Sequence, residues 1–286
     1  MISSPLPFKL IFVTGCMRSG TSLLHRLIST SPDTGERVAP ARYIADFLLL
    51  SRSYMNSDSA FATDYFSSRD HLLAATSQFV RERLTDAWLS SGKPACLVVR
   101  TVEISPMIPL VAALLPEAKF AVSVREPKDV IASILKVGEK QLKLGRDTPA
   151  TRRDVSSLAR TYNRSYLAVF RAQLRDEQLR HRIVFVRYEE AAANSEKALE
   201  AVWRRFDLAP GAAVLTNDSP VRPSIKEILV HRVWRSYRTD LSEAPVSTLS
   251  VGSHKKALKT SEVWTVNWRC RSLRRVFGYS GAESGI

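Results

Sequence analysis

Cysteine is scarce in this chain. There are three in 286 residues, Cys16, Cys96 and Cys270, an odd number with no Cys-x-x-Cys. That spacing excludes a disulfide framework and a structural zinc site, and it suits a reducing compartment. Long apolar runs are missing as well: none reaches the ~18 residues a membrane span needs. The opening Met-Ile-Ser-Ser-Pro-Leu-Pro has neither the basic head nor the apolar body of a secretory signal. The expectation is a cytoplasmic protein whose Asn163-Arg164-Ser165 and Asn217-Asp218-Ser219 motifs carry no glycan. Acid is the third deficit. Asp and Glu number 28 against 42 Lys and Arg, a net charge of +14. With 45% hydrophobic residues the chain is globular rather than disordered. Neither a repeat nor a low-complexity tract interrupts it, and no linker separates two apolar cores, so one domain over residues 1–286 is expected.

The positive charge serves either general solubility or an anionic ligand. It concentrates near the C-terminus, where His254 to Arg275 holds seven basic residues (Lys255, Lys256, Lys259, Arg269, Arg271, Arg274, Arg275) against one acid, Glu262. No motif that reads nucleic-acid bases accompanies it.

What is abundant is alternation of strand and helix signals. Lys9–Thr14, Ala95–Val99, Lys119–Val124 and Arg182–Val186 are short apolar runs without polar alternation, as in strands buried on both faces. Between and after them come helical patterns: Leu23, Leu24, Leu27 and Ile28; Met107 to Leu115; a helix opening at Pro127; Val155 to Phe170; and Leu199 to Phe206, capped by Asn194. Loops are expected over 139–154, 207–224 and 240–256. The pattern predicts an α/β fold with a central parallel sheet flanked by helices.

The first strand runs into Gly15-Cys16-Met17-Arg18-Ser19-Gly20-Thr21-Ser22. Two glycines five residues apart, between strand and helix, allow backbone N–H groups to surround an anion at the helix N-terminus. Ser19, Thr21 and Ser22 add hydroxyl donors. A nucleoside-triphosphatase loop would carry lysine where Thr21 stands, and the loop's one cation is Arg18 instead. Such a loop suits a terminal phosphate or phosphosulfate better than a magnesium-bound triphosphate. Cys16 lies inside the same loop, where a helix N-terminus can lower a thiol pKa, although a tolerated variable position explains it more simply.

The segment Phe12 to Leu24 resembles the 5′-phosphosulfate loop of sulfotransferases, which use 3′-phosphoadenosine 5′-phosphosulfate (PAPS). Its Arg-Ser-Gly-Thr form is similar to bacterial, carbohydrate and tyrosyl-protein members. A second segment, Val122 to Ser133, ends a strand with Arg125 and opens a helix at Pro127. On residue chemistry alone, Arg125 and Ser133 either hold one phosphate between them, or Arg125 pairs with Glu126 or Asp129 while Ser133 is a solvated helix serine on a face shared with Asp129 and Lys136. The segment looks like the family's 3′-phosphate motif, and the resemblance implies that both residues contact that phosphate. It also implies a place near the adenine for Tyr188, a basic covering loop that includes Lys255 and Lys256, and a closing Phe277-Gly278-Tyr279. The implied fold is P-loop-like, with PAPS as donor and 3′-phosphoadenosine 5′-phosphate as product.

The implied reaction transfers a sulfuryl group to a hydroxyl or amine by in-line displacement. The leaving group is a phosphate, so no metal is required. Arg18 is the natural group to neutralise charge there, and Arg100 stands where relatives often carry a lysine. For the general base, Glu36 ranks first, Glu103 second and His25 third; a loop shorter than the tyrosyl-protein pattern puts Arg37 equally close to the Glu36 place. His71, His181, His231 and His254 show no metal-ligand spacing. The acceptor is expected to be a small molecule or glycan, walled by residues 40–90 and 137–180 with aromatics such as Tyr43, Phe47, Tyr54, Phe61 and Trp88. The alternatives are a phosphotransferase with a degenerate loop and a non-catalytic polyanion binder.

Overall fold

The structure, a computed structural model, describes residues 5–56, 65–211 and 250–280. Its centre is a four-stranded parallel sheet of β1 (Lys9–Gly15), β2 (Cys96–Arg100), β3 (Lys119–Val124) and β4 (Ile183–Arg187), in the order β2-β1-β3-β4. Phe12 of β1 lies opposite Val99 on one side and Phe120 on the other, and Ala121 lies opposite Val184.

Successive side chains of a strand point to opposite faces, and here both faces are covered. Leu10 and Phe12 enter a core with Val122, Val124 and the helix α6 (Val155–Gln173); Ile11 and Val13 enter another with α1 (Thr21–Ile28) and α9 (Ser195–Phe206). This two-sided burial is why the strands read as unbroken apolar runs. Each buried side chain of this size stabilises the fold by roughly 1.5–3 kcal/mol. The remaining helices are α2 (Arg42–Asn56), α3 (Arg69–Ser90), α4 (Ile108–Leu114), α5 (Pro127–Leu142), α7 (Glu177–His181), α8 (Tyr188–Ala193), α10 (His254–Ala257), α11 (Thr260–Arg269) and α12 (Arg271–Val276). Asn194 caps α9 as expected, its side chain accepting from Lys197 N–H at 3.0 Å.

Several boundaries differ from expectation. β2 and β4 each begin one residue later than predicted, and α4 follows a 3₁₀ turn over Ser105–Met107. The loop expected from residue 139 starts only after Leu142, because Val137, Gly138 and Gln141 stay buried and carry α5 another turn. Of the loops expected over 207–224 and 240–256, residues 212–224 and 240–249 lie outside the described residues, as do Phe61, Asn217 and His231.

The strand order matters for the site. From β1 the chain crosses to β2 on one side, then returns to β3 on the other, so the order reverses between β1 and β3. Ligands of open α/β sheets bind at such a reversal, beyond the carboxyl ends of the strands. The segments leaving β1 and β3 there are Gly15–Gly20 and Arg125–Pro127.

Candidate functional site

The loop after β1 is shaped by three residues in left-handed backbone regions: Gly15 (φ 143°), Arg18 (φ 70°) and Gly20 (φ 101°). At Gly15 a Cβ would sit 2.3 Å from the Ser123 carbonyl oxygen, and at Gly20 it would sit 2.4 Å from the Tyr188 ring. Neither position tolerates a side chain. Arg18 adopts its left-handed angle at a cost. The turn closes through Ser19 N–H on the Cys16 carbonyl at 3.0 Å. It is fastened to β3 in two ways. Ser123 Oγ–H donates to the Ser19 carbonyl at 2.7 Å, and Tyr166 Oη accepts from Cys16 N–H at 3.1 Å while donating to the Ser123 carbonyl at 2.8 Å. Gly20 then caps α1, whose first turn aims its backbone donors at the loop.

Three arginines converge on this loop. Arg18 Nε donates to Ser133 Oγ on α5 at 3.1 Å. Arg125 reaches the Arg18 carbonyl at 3.4 Å and the Ser250 carbonyl at 2.6 Å, and its guanidinium lies 4.5 Å from the centre of the Tyr188 ring. Arg100, ending β2, donates to Ser22 Oγ at 2.6 Å. Burial lowers the Arg18 pKa, and the nearby Arg125 charge lowers it further. Like charges held this close in a partly desolvated setting favour an anion between them. Arg125 Nε is buried with no hydrogen-bond partner, so this donor set has capacity for one.

The pairing of Arg125 with Glu126 or Asp129, left open by the sequence, is not what forms. Glu126 accepts from Arg274 Nε at 3.2 Å. Asp129 was expected on an outward face, yet it is buried, because the chain at 252–254 folds onto it. It accepts from Gly252 N–H at 2.8 Å, His254 N–H at 2.9 Å and His254 Nδ1 at 2.7 Å. Burial pushes the Asp129 pKa up, but the bonds from His254 and Gly252 outweigh it, and the net shift is downward. Tyr188 Oη and Ser250 Oγ share a 2.6 Å hydrogen bond, so a single C-terminal loop touches Arg125, Tyr188 and Asp129 together.

The sequence profile of the sulfotransferase family matches residues 10–210, more than half of the chain. The chain belongs to the sulfotransferase family. A sulfotransferase from Mycobacterium avium superposes with a TM-score of 0.51 at 14% identity, covering 96% of this chain and 78% of its own. The sulfotransferase domain of an olefin synthase from Synechococcus PCC 7002 gives 0.47 at 15% identity, covering 89% and 96%. At such identities the first of these supports the fold alone. No curated protein sequence matches the chain.

Other predicted residues of this sulfotransferase lie around that centre. Ser19 is buried in the loop and Thr21 at the start of α1. Lys255 and Lys256 are exposed on α10, and it is Ser250, five residues before Lys255, that meets Arg125. Tyr279 of the closing Phe-Gly-Tyr donates to Glu189 at 2.7 Å, and Glu189 also accepts from the Glu126 N–H at 3.0 Å, which ties the chain's end to the start of α5. Cys16 is buried, and burial pushes its thiol up to about 12, so it is inert rather than reactive.

The candidate bases differ in setting. His25 is buried with Nε2 3.4 Å from the Val98 carbonyl; burial, then the charges of Arg100 and Arg37, hold its pKa down at about 3. An imidazole that weakly basic is a poor proton acceptor. Glu36 is exposed, two residues past the Thr34–Cys96 bridge on the edge of β2. Glu103 follows the carboxyl end of β2, accepting from Thr101 Oγ1 at 2.7 Å and from Arg42 Nη1 at 2.8 Å.

Sequence reasoning missed Tyr162, Tyr166 and Ser250, and it named Asp129 only as a possible partner of Arg125. Tyr162 donates to the Arg125 carbonyl at 3.0 Å, one turn before Tyr166 reaches the loop. Both tyrosines read as apolar-face positions of α6. The available signal was that a buried tyrosine hydroxyl needs a polar partner.

Proposed function

We propose that this sulfotransferase transfers a sulfuryl group from PAPS to a hydroxyl or amine of a small-molecule or glycan acceptor, as a cytoplasmic enzyme without specific nucleic-acid binding. The observation that carries the reading is the junction of the two anion segments: Arg18 bonded to Ser133, with Arg125 on the Arg18 carbonyl. A ligand with phosphate groups at both ends of one nucleoside needs both segments at one place. A triphosphatase loop needs only the first, together with a lysine where Thr21 is buried.

In this reading the backbone of Gly15–Gly20 with Ser19, Thr21 and Ser22 holds the 5′-phosphosulfate, and Arg125 with Ser133 holds the 3′-phosphate. Tyr188, lying between Arg125 and Gly20, packs beside the nucleotide. Lys255 and Lys256 add long-range charge. PAPS, when bound, supplies an activated sulfuryl group on a phosphate leaving group. Arg18 stabilises the charge that develops on that phosphate, as a charge-assisted donor already paid for in folding strain. Arg100, anchored on Ser22, stands beside it.

A carboxylate takes the acceptor proton, a function typically worth ~10²–10⁴ in rate. Glu36 and Glu103 are the two candidates. Glu103 has the better position, at the strand end next to Arg100, while its bonds to Arg42 and Thr101 must loosen for it to act. Exposed Tyr43 and Leu50 lie on one face of α2, since seven residues are close to two turns, and they suit an acceptor with an apolar or sugar ring.

Calorimetric titration of 3′-phosphoadenosine 5′-phosphate, with AMP and magnesium-ATP as controls, tests the reading. Tight binding of the bisphosphate, much weaker binding of AMP and loss on Arg125→Ala are expected. Equal or tighter binding of magnesium-ATP overturns it in favour of a phosphotransferase.

A further inference from the structure

The C-terminal helices present a surface that sulfuryl transfer does not use. α11 and α12 behave as one helix, because Cys270 N–H bonds the Val266 carbonyl at 2.9 Å and Arg274 N–H bonds the Cys270 carbonyl at 2.8 Å across their junction. Val266, Cys270, Leu273 and Phe277 form the face buried on the core. On a 3.6-residue repeat the opposite face carries Trp264, Trp268, Arg271 and Arg275, within about 60° of one another. An outward face of a helix is ordinarily polar. Here Trp264 is 67% and Trp268 61% exposed, their rings parallel with centres 6.3 Å apart. The Arg269 guanidinium lies 5.3 Å from the Trp268 ring centre.

Charge accompanies the indoles. Arg271 and Arg275, on the same face of the helix, are both exposed. The one acid between His254 and Arg275, Glu262, is already taken by Arg153 at 2.7 and 3.0 Å and by the Lys259 N–H at 2.7 Å. The face therefore joins two exposed indoles to the cations Arg269, Arg271 and Arg275.

We propose that this face docks peripherally on an anionic lipid bilayer. Indole rings favour the boundary between headgroups and acyl chains, and each basic residue near an anionic surface strengthens binding roughly fivefold. Neither feature alone anchors a protein, whereas an apolar insertion joined to a polybasic patch does. Charge complementarity selects an anionic surface over a neutral one. Among the described residues no helix is long and apolar enough to cross a membrane, so the association is interfacial. The inference is independent of the sulfuryl-transfer reading.

Co-sedimentation of the full chain with vesicles of phosphatidylcholine alone, or with one third phosphatidylglycerol, tests it. Binding to the anionic vesicles is expected at least tenfold above the neutral ones, with a blue shift of tryptophan emission and quenching by brominated lipid. Trp264→Ala/Trp268→Ala should lower partitioning at least tenfold and abolish the emission shift, while the melting temperature stays unchanged. Arg271→Gln/Arg275→Gln should lower partitioning and its salt dependence while the residual bound protein keeps the shift. Three results overturn the proposal: equal binding to both vesicle types; partitioning indifferent to the tryptophans; or a soluble acidic polysaccharide that captures the protein through the same tryptophans while vesicles do not. A fourth is a dimer in sedimentation velocity that the tryptophan variant converts to monomer, because the face is then covered by a second copy.

Discussion

Arg18 and Ser133 lie 115 residues apart in sequence and share a hydrogen bond of 3.1 Å. The bond joins the loop after β1 to the helix after β3, and so makes one site of two segments. Replacing Ser133 with Ala removes an acceptor from a charged donor, an interaction worth about 1.5–3 kcal/mol. Under the proposed reading, S133A weakens 3′-phosphoadenosine 5′-phosphate binding roughly tenfold by calorimetry, and R125A weakens it more. If S133A binds as tightly as the parent, the serine is only a helix residue.

Arg18 holds a left-handed backbone angle of φ 70°, and under the proposed reading its guanidinium stabilises the leaving phosphate. R18A should lower the melting temperature only modestly, since it removes the bond to Ser133 but leaves the fastenings of the loop to β3 in place. Turnover should fall by roughly 10²–10³, the typical effect of losing one charge-stabilising donor. A fall in KM affinity with kcat intact would reassign Arg18 to simple binding.

Gly20 and Tyr188 are sterically coupled. G20A puts a methyl 2.4 Å from the tyrosine ring at a backbone φ of 101°, which costs on the order of 1–3 kcal/mol. The expected drop in melting temperature is about 3–10 °C. In a Y188A background the steric part disappears and the strain stays, so a double-mutant cycle should return a clear coupling energy. Strict additivity would mean that the ring swings away freely.

Tyr166 pins the loop from below with a hydroxyl that both donates and accepts. Y166F leaves the Cys16 N–H and the Ser123 carbonyl without that partner, at about 1–3 kcal/mol for each buried group. Denaturant unfolding should report the loss as a lower midpoint with an unchanged slope.

Asp129 makes the covering loop sensitive to acid. Its pKa is lowered in the folded state, so its contribution to stability is complete above the unfolded carboxylate value of about 3.9. It is lost as pH falls below that value, through the folded pKa. Hydrogen exchange at the Gly252 and His254 amides should accelerate in that acid range. D129N should show fast exchange already at neutral pH and little further change.

Much of this was legible in the sequence because it is local. Four apolar runs without polar alternation specify strands buried on both faces, and helical spacing between them specifies the covering layers. Gly15 and Gly20 mark a turn that other residues cannot make, and Arg125 and Ser133 were read at the strand end and on the following helix, where the structure places them. A helix boundary such as Leu142 was less legible, because burial of Gln141 and Val137 against other elements, rather than the local pattern, carries α5 past residue 139.

The sequence by itself determined the elements, the loop and the family, since strand and helix signals and short motifs depend on neighbours a few residues away. Only the tertiary structure decided that Arg18 bonds Ser133, that Asp129 turns inward to hold residues 252–254, and that the two tyrosines of α6 reach under the loops. The physical reason is the strand order. Reversal between β1 and β3 brings segments more than one hundred residues apart within hydrogen-bond distance, and no periodicity along the chain records which donor will then meet which acceptor.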